Sequence, residues 1–276
     1  MGHDTKDEKK QADAAPPPPY SPNDASTAAP PPQIPQQQVP QTKRHFPRAF
    51  SMYRESSWTE RKFSIGEHQA TPLYTVTLHS GWSGQPDVVL HNGPSDQRPP
   101  LAGVKGNAWS TSATVTLRPI PGSGLDAAEE KMQVSGGFGH STFVFSIEVG
   151  VGSAARRETF EWRHSSGSAV KGLDARSSGW KLVRLATGAP GGVEGGNFVK
   201  GGVTAGDGKE VVAVWAWASG SLTKKLKFQF LGSGANGVLG ERWAIMAVIT
   251  ALRIWDKERR QRNQNAAAAG AGGAGA

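Results

Sequence analysis

Two hydrophobic periods divide this chain. From Phe50 onward, short runs rich in β-branched and aromatic residues are punctuated by Gly, Pro, Asn and Ser. The runs predict strands at Phe50–Arg54, Arg61–Ile65, Leu73–His79, Asp87–His91, Ala102–Val104 and Thr111–Arg118. Further strands are predicted at Lys131–Val134, Thr142–Val149, Glu158–His164, Trp180–Ala186, Glu210–Ala218 and Leu222–Leu231. About a dozen strands at this spacing imply an antiparallel barrel or sandwich. In Thr159–Arg163, Phe160 and Trp162 share a face opposite Glu161 and Arg163. In Lys224–Phe230, Leu226, Phe228 and Phe230 share one face, with Lys225, Lys227 and Gln229 on the other. Val211–Ala218 is apolar on both faces, which predicts a central strand covered on both sides.

The second period is helical and falls near the end. From Trp243 to Leu252 every residue is non-polar except Thr250, so 100° steps place large side chains on every face. A helix with no polar face must be enclosed. The apolar run is too short for a bilayer, which needs roughly 20 residues, so the pattern predicts a helix over Glu241–Arg262 wrapped by sheet. Glu241 lies in its first turn, and Lys257, Arg259, Arg260 and Arg262 crowd its last, as the macrodipole favours.

Composition trims the domain. Residues 1–48 hold 11 of the 19 prolines and a Gln-rich run at Gln36–Gln38. Such a segment buries too little apolar surface to offset chain entropy and is expected to be disordered. Residues 263–276, rich in Ala and Gly, are expected to be a frayed tail, which leaves one domain over 49–262. Residues 1–42 carry three Lys and five acids, while the rest carries 28 basic and 18 acidic residues. A net +10 body is biased toward anionic partners, although dispersed charge of this size also serves solubility. Cysteine is absent, which excludes disulfides and thiolate metal sites. No apolar stretch opens the sequence, and the expected location is cytoplasmic, with peripheral membrane association as a variant.

The segments Phe160-Glu161-Trp162-Arg163-His164-Ser165-Ser166-Gly167, Gly179-Trp180-Lys181-Leu182-Val183-Arg184-Leu185 and Gly240-Glu241-Arg242-Trp243 resemble those of fungal proteins with a tubby C-terminal-like domain. That superfamily includes the LURP-one-related proteins and the phospholipid scramblases. The resemblance implies a mainly β fold: a closed antiparallel barrel of about 12 strands around a hydrophobic C-terminal helix. It also implies lipid-related binding, since tubby proteins bind phosphoinositides. The scramblase features of an acidic calcium loop and a palmitoylated cysteine are not matched.

Candidate chemistry is sparse. Pro17-Pro18-Pro19-Tyr20 fits PPxY, whose preformed polyproline helix and Tyr suit a WW-domain groove, so Pro17, Pro18 and Tyr20 are the candidate ligand residues. Lys181 and Arg184 on one strand, with Lys224, Lys225 and Lys227 on another, are the candidate anionic-lipid contacts. Exposed strand lysines equally guard sheet edges. Lys171, Arg176, Lys200 and Lys209 lie in or beside Gly-rich loops and are candidates to frame a barrel mouth. Gly232 to Gly237 matches GxGxxG, but no second parallel strand or acidic ribose partner follows, so a turn leading into the helix is expected. Gly139-His140-Ser141 lacks the second Gly of a nucleophile elbow. The seven histidines include no pair at i,i+3 or i,i+4, so no local metal site, cofactor or catalytic group is expected. Trp215 and Trp217 share a face and are expected in the core. The sequence thus predicts a non-enzymatic binding or scaffold module. WW-domain proteins and anionic phospholipid are its expected partners, and nucleic acid is not.

Overall fold

The computed structural model describes residues 46–55, 61–80, 83–106, 112–120, 124–136, 141–150, 155–174, 178–190 and 203–272. All lie in the second of the chain's two compact units, residues 40–276. Its strands are β1 (Ala49–Arg54), β2 (Lys62–Gly66), β3 (Tyr74–Leu78), β4 (Val88–His91), β5 (Pro100–Gly106) and β6 (Ser112–Leu117). They continue with β7 (Ala128–Ser135), β8 (Thr142–Val149), β9 (Arg156–Ser165), β10 (Gly179–Arg184), β11 (Val211–Trp217) and β12 (Lys224–Phe230). Each strand pairs antiparallel with the next, and β1 closes the barrel onto β12 through Ala49↔Gln229 and Phe50↔Phe228. All twelve predicted strands are present, most within two residues of the expected ends. Closure leaves no free sheet edge.

Alternation fills the lumen. Phe160 and Trp162 of β9, and Leu226, Phe228 and Phe230 of β12, all point inward and are at most 2% exposed. The helix α3 (Glu241–Gly272) occupies the space they enclose. It touches opposite walls: Trp243 lies 5.7 Å from Phe160 and 5.8 Å from Phe230, while Trp255 lies 5.1 Å from Phe63 and 5.6 Å from Trp217. From Ile245 to Leu252 no residue is more than 2% exposed. Burying each large apolar side chain contributes about 1.5–3 kcal/mol, so the helix and barrel stabilise each other. Thr250, the one polar residue of the run, donates to the Met246 carbonyl at 2.7 Å and accepts from Trp162 Nε1 at 3.0 Å. Its hydroxyl is thereby satisfied without a polar face on the helix.

Beyond Arg262 the helix does not stop. It continues to Gly272, so the tail expected to be unstructured from residue 263 is helical for ten further residues. Those from Asn263 to Gly270 are exposed. The run of four alanines, Ala266–Ala269, is the strongest helix-forming composition available, and no proline interrupts it.

β11 is covered on both sides, as its sequence predicts. Val212, Ala213 and Trp215 join the lumen core, whereas Val211, Val214 and Ala216 face a smaller outer cluster with Val170, Val183 and Ala205. The outer cover is α1 (Ser168–Leu173), a short helix that the sequence pattern does not reveal. The close approach needs glycine. A Cβ on Gly179 would fall 2.1 Å from the Trp215 carbonyl oxygen and 3.0 Å from Val170 Cγ1.

The two mouths of the barrel are held by ionic groups. Where α3 enters, Arg184 makes a bidentate pair with Glu158, at 2.6 and 2.7 Å, and donates to the Gly188 carbonyl. Beside it Glu210 accepts from the amide and hydroxyl of Ser233 in α2 (Gly232–Ala235). The GxGxxG segment is therefore a packed turn. A Cβ on Gly234 would meet the Val212 carbonyl at 2.3 Å. Where α3 leaves, the fully buried Asp256 pairs with Arg259 at 2.9 Å and Arg260 at 2.7 Å, and Arg253 reaches Asp87 at 3.2 Å. Asp87 also accepts from the Gly106 amide, so this network ties the helix to β5 and the β3–β4 turn.

Candidate functional site

The five predicted anion contacts do not form one patch. Lys181 and Arg184 stand three residues apart on β10, and in a strand an odd spacing sends side chains to opposite faces. Lys181 faces outward, whereas the Arg184 side chain is 0% exposed and committed to Glu158. That is a correction: Arg184 anchors the barrel and is closed to an external anion. Lys227 pairs with Asp174 at 3.1 Å and donates to the Leu173 carbonyl at 3.2 Å, holding the end of α1. Lys181 lies opposite Val214 and Lys227 opposite Ala216, which places them about 12 Å apart across β11. The outer face between them is covered by α1. Among the other candidates, Lys171 is exposed on α1 and Lys209 donates to the Leu185 carbonyl at 2.8 Å. Pro17, Pro18, Tyr20, His140, Arg176 and Lys200 lie outside the described residues. Trp215 is fully buried. Trp217 is partly buried, and donates to Glu258 at 2.7 Å beside Trp180, which donates to the same carboxylate at 2.9 Å.

Lys224 and Lys225 belong to a different grouping, around the mouth where α3 leaves. Lys224 sits over the Tyr53 ring at 5.5 Å, Lys257 over Phe143 at 5.2 Å, and Arg262 over Trp217 at 4.1 Å. None of these four cations forms an ion pair in the structure, since the nearby Asp256 and Glu258 are occupied as described. Aromatic faces hold their stems and leave the charges toward solvent.

A second site was hidden from the sequence. On the outer face of β3–β6 lies a cleft of about 440 Å³, floored by Thr77, Val89, Gly103 and Thr116. These four are register neighbours across four adjacent strands, which makes the floor about 14 Å wide at ~4.8 Å per strand. Its walls come from the β3–β4 turn, with Gln85 and Pro86, and from the β4–β5 loop, with Asp96 and Gln97. Gly103 is needed here: a Cβ would meet the Pro86 ring at 3.1 Å.

Two histidines twelve residues apart meet over this floor. Thr77 Oγ1 lies 3.2 Å from His79 Nε2 and 3.0 Å from His91 Nε2, and His91 Nδ1 lies 3.0 Å from the Arg98 carbonyl oxygen. A carbonyl only accepts, so with both rings neutral the proton positions follow. His91 carries its proton on Nδ1 and accepts from Thr77, which in turn accepts from His79 Nε2–H. His79 Nδ1 is left as a bare lone pair. Burial, then His91 and Arg61, push the His79 pKa below its usual value against the pull of Asp87. Asp96 is neutralised by Lys62 at 3.1 Å, whose hydrogen bond holds the Asp96 pKa below the ordinary carboxylate range. Arg118, at the opposite rim, is exposed and has no ionic partner. Among the described residues no cluster of three or more metal-ligating side chains occurs.

Fold and sites together define a closed 12-stranded antiparallel barrel threaded by its own C-terminal helix, with polar sites confined to the mouths and the outer wall. Compared with known proteins, the chain matches no family model, no curated protein and no solved structure.

Proposed function

We propose that the chain is a non-enzymatic binding or scaffold module of the tubby C-terminal-like type, engaging its partners from the outside of the barrel and through its N-terminal segment. The packed lumen carries the proposal. Small-molecule barrels keep a cavity at their centre, whereas here α3 fills that space with side chains from Ile245 to Leu252 that are at most 2% exposed. Pro17, Pro18 and Tyr20 supply a WW-domain ligand that needs nothing from the barrel. Titrating the full chain into a panel of isolated WW domains tests this. Micromolar binding, worth about −8 kcal/mol, that is lost in Tyr20→Ala with an unchanged unfolding midpoint supports the proposal. No binding to any member of the panel removes the tail from it.

A second reading, peripheral attachment to anionic phospholipid, is favoured by the four unpaired cations Lys224, Lys225, Lys257 and Arg262 around one mouth. No described helix is long and apolar enough to cross a membrane, so such attachment would be electrostatic. Flotation with phosphatidylserine or phosphoinositide vesicles should then fall steeply with salt and vanish in Lys225→Glu/Arg262→Glu. Equal flotation with neutral vesicles rules it out.

A further inference from the structure

We propose that the cleft on β3–β6 is a binding site for a polyhydroxylated small molecule carrying one acid group, the chemical class of the sugar acids. Size is the first ground. A volume of about 440 Å³ lies within the range of small-molecule sites. A floor about 14 Å wide is too long for a single ion and suits two linked rings. Charge is the second. Arg118 brings one unpaired positive charge to the rim, Asp96 is already cancelled by Lys62, and the two histidines are neutral in the hydrogen-bonded chain, so a monoanion is matched. A carboxylate on Arg118 makes a charge-assisted contact of the strong kind.

Hydroxyl recognition is the third ground. The chain from Arg98 O through His91 and Thr77 fixes His79 with its Nε2–H pointing into Thr77 and its Nδ1 vacant. That nitrogen accepts a hydrogen bond and cannot donate one, so it selects an O–H or N–H group of the ligand. Gln85 and Gln97 add amide donors and acceptors, and Pro86 and Pro100 give apolar walls for the faces of sugar rings. His79 lies at the end of the cleft nearest the α3 exit and Arg118 at the diagonally opposite corner. A ligand therefore needs its acid group and its recognised hydroxyl at opposite ends. The site is separate from the N-terminal motif and from the cations around the α3 exit.

The test uses the full chain and histidine-ring nitrogen NMR, with cellobiouronate as the probe, cellobiose as its neutral counterpart and inorganic phosphate as a simple anion. Before ligand is added, His91 should show the Nδ1–H tautomer and His79 the Nε2–H tautomer, and Thr77→Val should mix the tautomers at His79. Cellobiouronate should shift His79 Nδ1 saturably. Cellobiose should bind at least roughly tenfold more weakly, and Arg118→Gln should bring the acid down to the level of cellobiose, the effect of losing one charge-assisted hydrogen bond. Arg118 is exposed, so that variant leaves the fold intact. The proposal is overturned by the absence of a His79 shift up to the solubility limit of the acid. It is equally overturned if phosphate reproduces the shift, or if Arg118→Gln leaves the affinity unchanged. Failure here leaves the WW and vesicle experiments untouched, since neither involves these residues.

Discussion

Arg184 shows how one residue's meaning depends on which face of a strand it occupies. As a letter in a basic segment it resembles Lys181, yet at an odd spacing on β10 it turns into the barrel mouth, where its full charge must be met. It is met by Glu158, itself only 2% exposed at the side chain, with Arg156 at 2.9 Å on the same carboxylate. Removing one partner of a buried pair leaves the other desolvated and uncompensated, which costs about 3–5 kcal/mol. Arg184→Met is therefore expected to destabilise the barrel by about 3 kcal/mol, the low end of that range because Arg156 still holds Glu158. Arg184→Met/Glu158→Met should recover part of the loss, as shape is kept and no charge is stranded. Urea midpoints of the two single variants and the double variant decide it. Additive losses would mean that the pair is not coupled.

At the scale of elements, α3 and α1 differ in what the chain announces. α3 is legible because its apolar run has no polar face, and enclosure follows from that alone. α1 is six residues long, opens without a side-chain cap and buries one residue, Val170, so neither periodicity nor capping marks it. It exists because the outer face of β11 needs a cover. The two halves of α3 should respond oppositely to change. Ile249→Asp puts a charge at a site with 0% exposure, a cost of several kcal/mol or more against a total stability of roughly 5–15 kcal/mol. Insoluble or unfolded protein is the expected outcome. Ending the chain after Arg262 removes only exposed helix, and the unfolding free energy should stay within about 0.5 kcal/mol. A soluble, cooperatively folded Ile249→Asp protein would contradict the threaded barrel.

For the whole molecule, the titratable groups set how stability follows pH. His79 has its pKa lowered in the folded state, so the unfolded chain takes up its proton first on acidification. Its contribution is complete above the unfolded value of about 6.5 and is lost as pH falls from there through the folded value. His79→Gln should flatten that limb of a plot of urea midpoint against pH. Tyr74 acts at the other extreme. Burial, with a smaller push from Glu241, raises its pKa to about 12 from 10.0, so its contribution is intact below 10.0 and lost as pH rises from there through about 12. Tyr74→Phe should remove the alkaline limb and leave the acid one. If both limbs persist in the two variants, other groups govern the pH response.

The sequence by itself determined the twelve strands, the inward phase of Phe160, Trp162, Leu226, Phe228 and Phe230, the two-sided burial of β11 and the enclosure of α3. Each is a local matter, since a period of 2 or 3.6 is written in neighbouring residues. The opposed faces of Lys181 and Arg184 were also legible, because parity on a strand needs no tertiary knowledge. Only the tertiary structure decided which charges meet. Lys227 is spent on Asp174, 53 positions away, and Lys62 on Asp96, 34 positions away. His79 and His91 were passed over because metal and catalytic patterns were sought at helical spacing, whereas a β-hairpin joins residues on either side of its turn. Thr77 pairs with Val89, and that register alone brings the two rings to one hydroxyl. A barrel wall is assembled from strands distant in sequence, so its sites are set by register and closure, which no local pattern encodes.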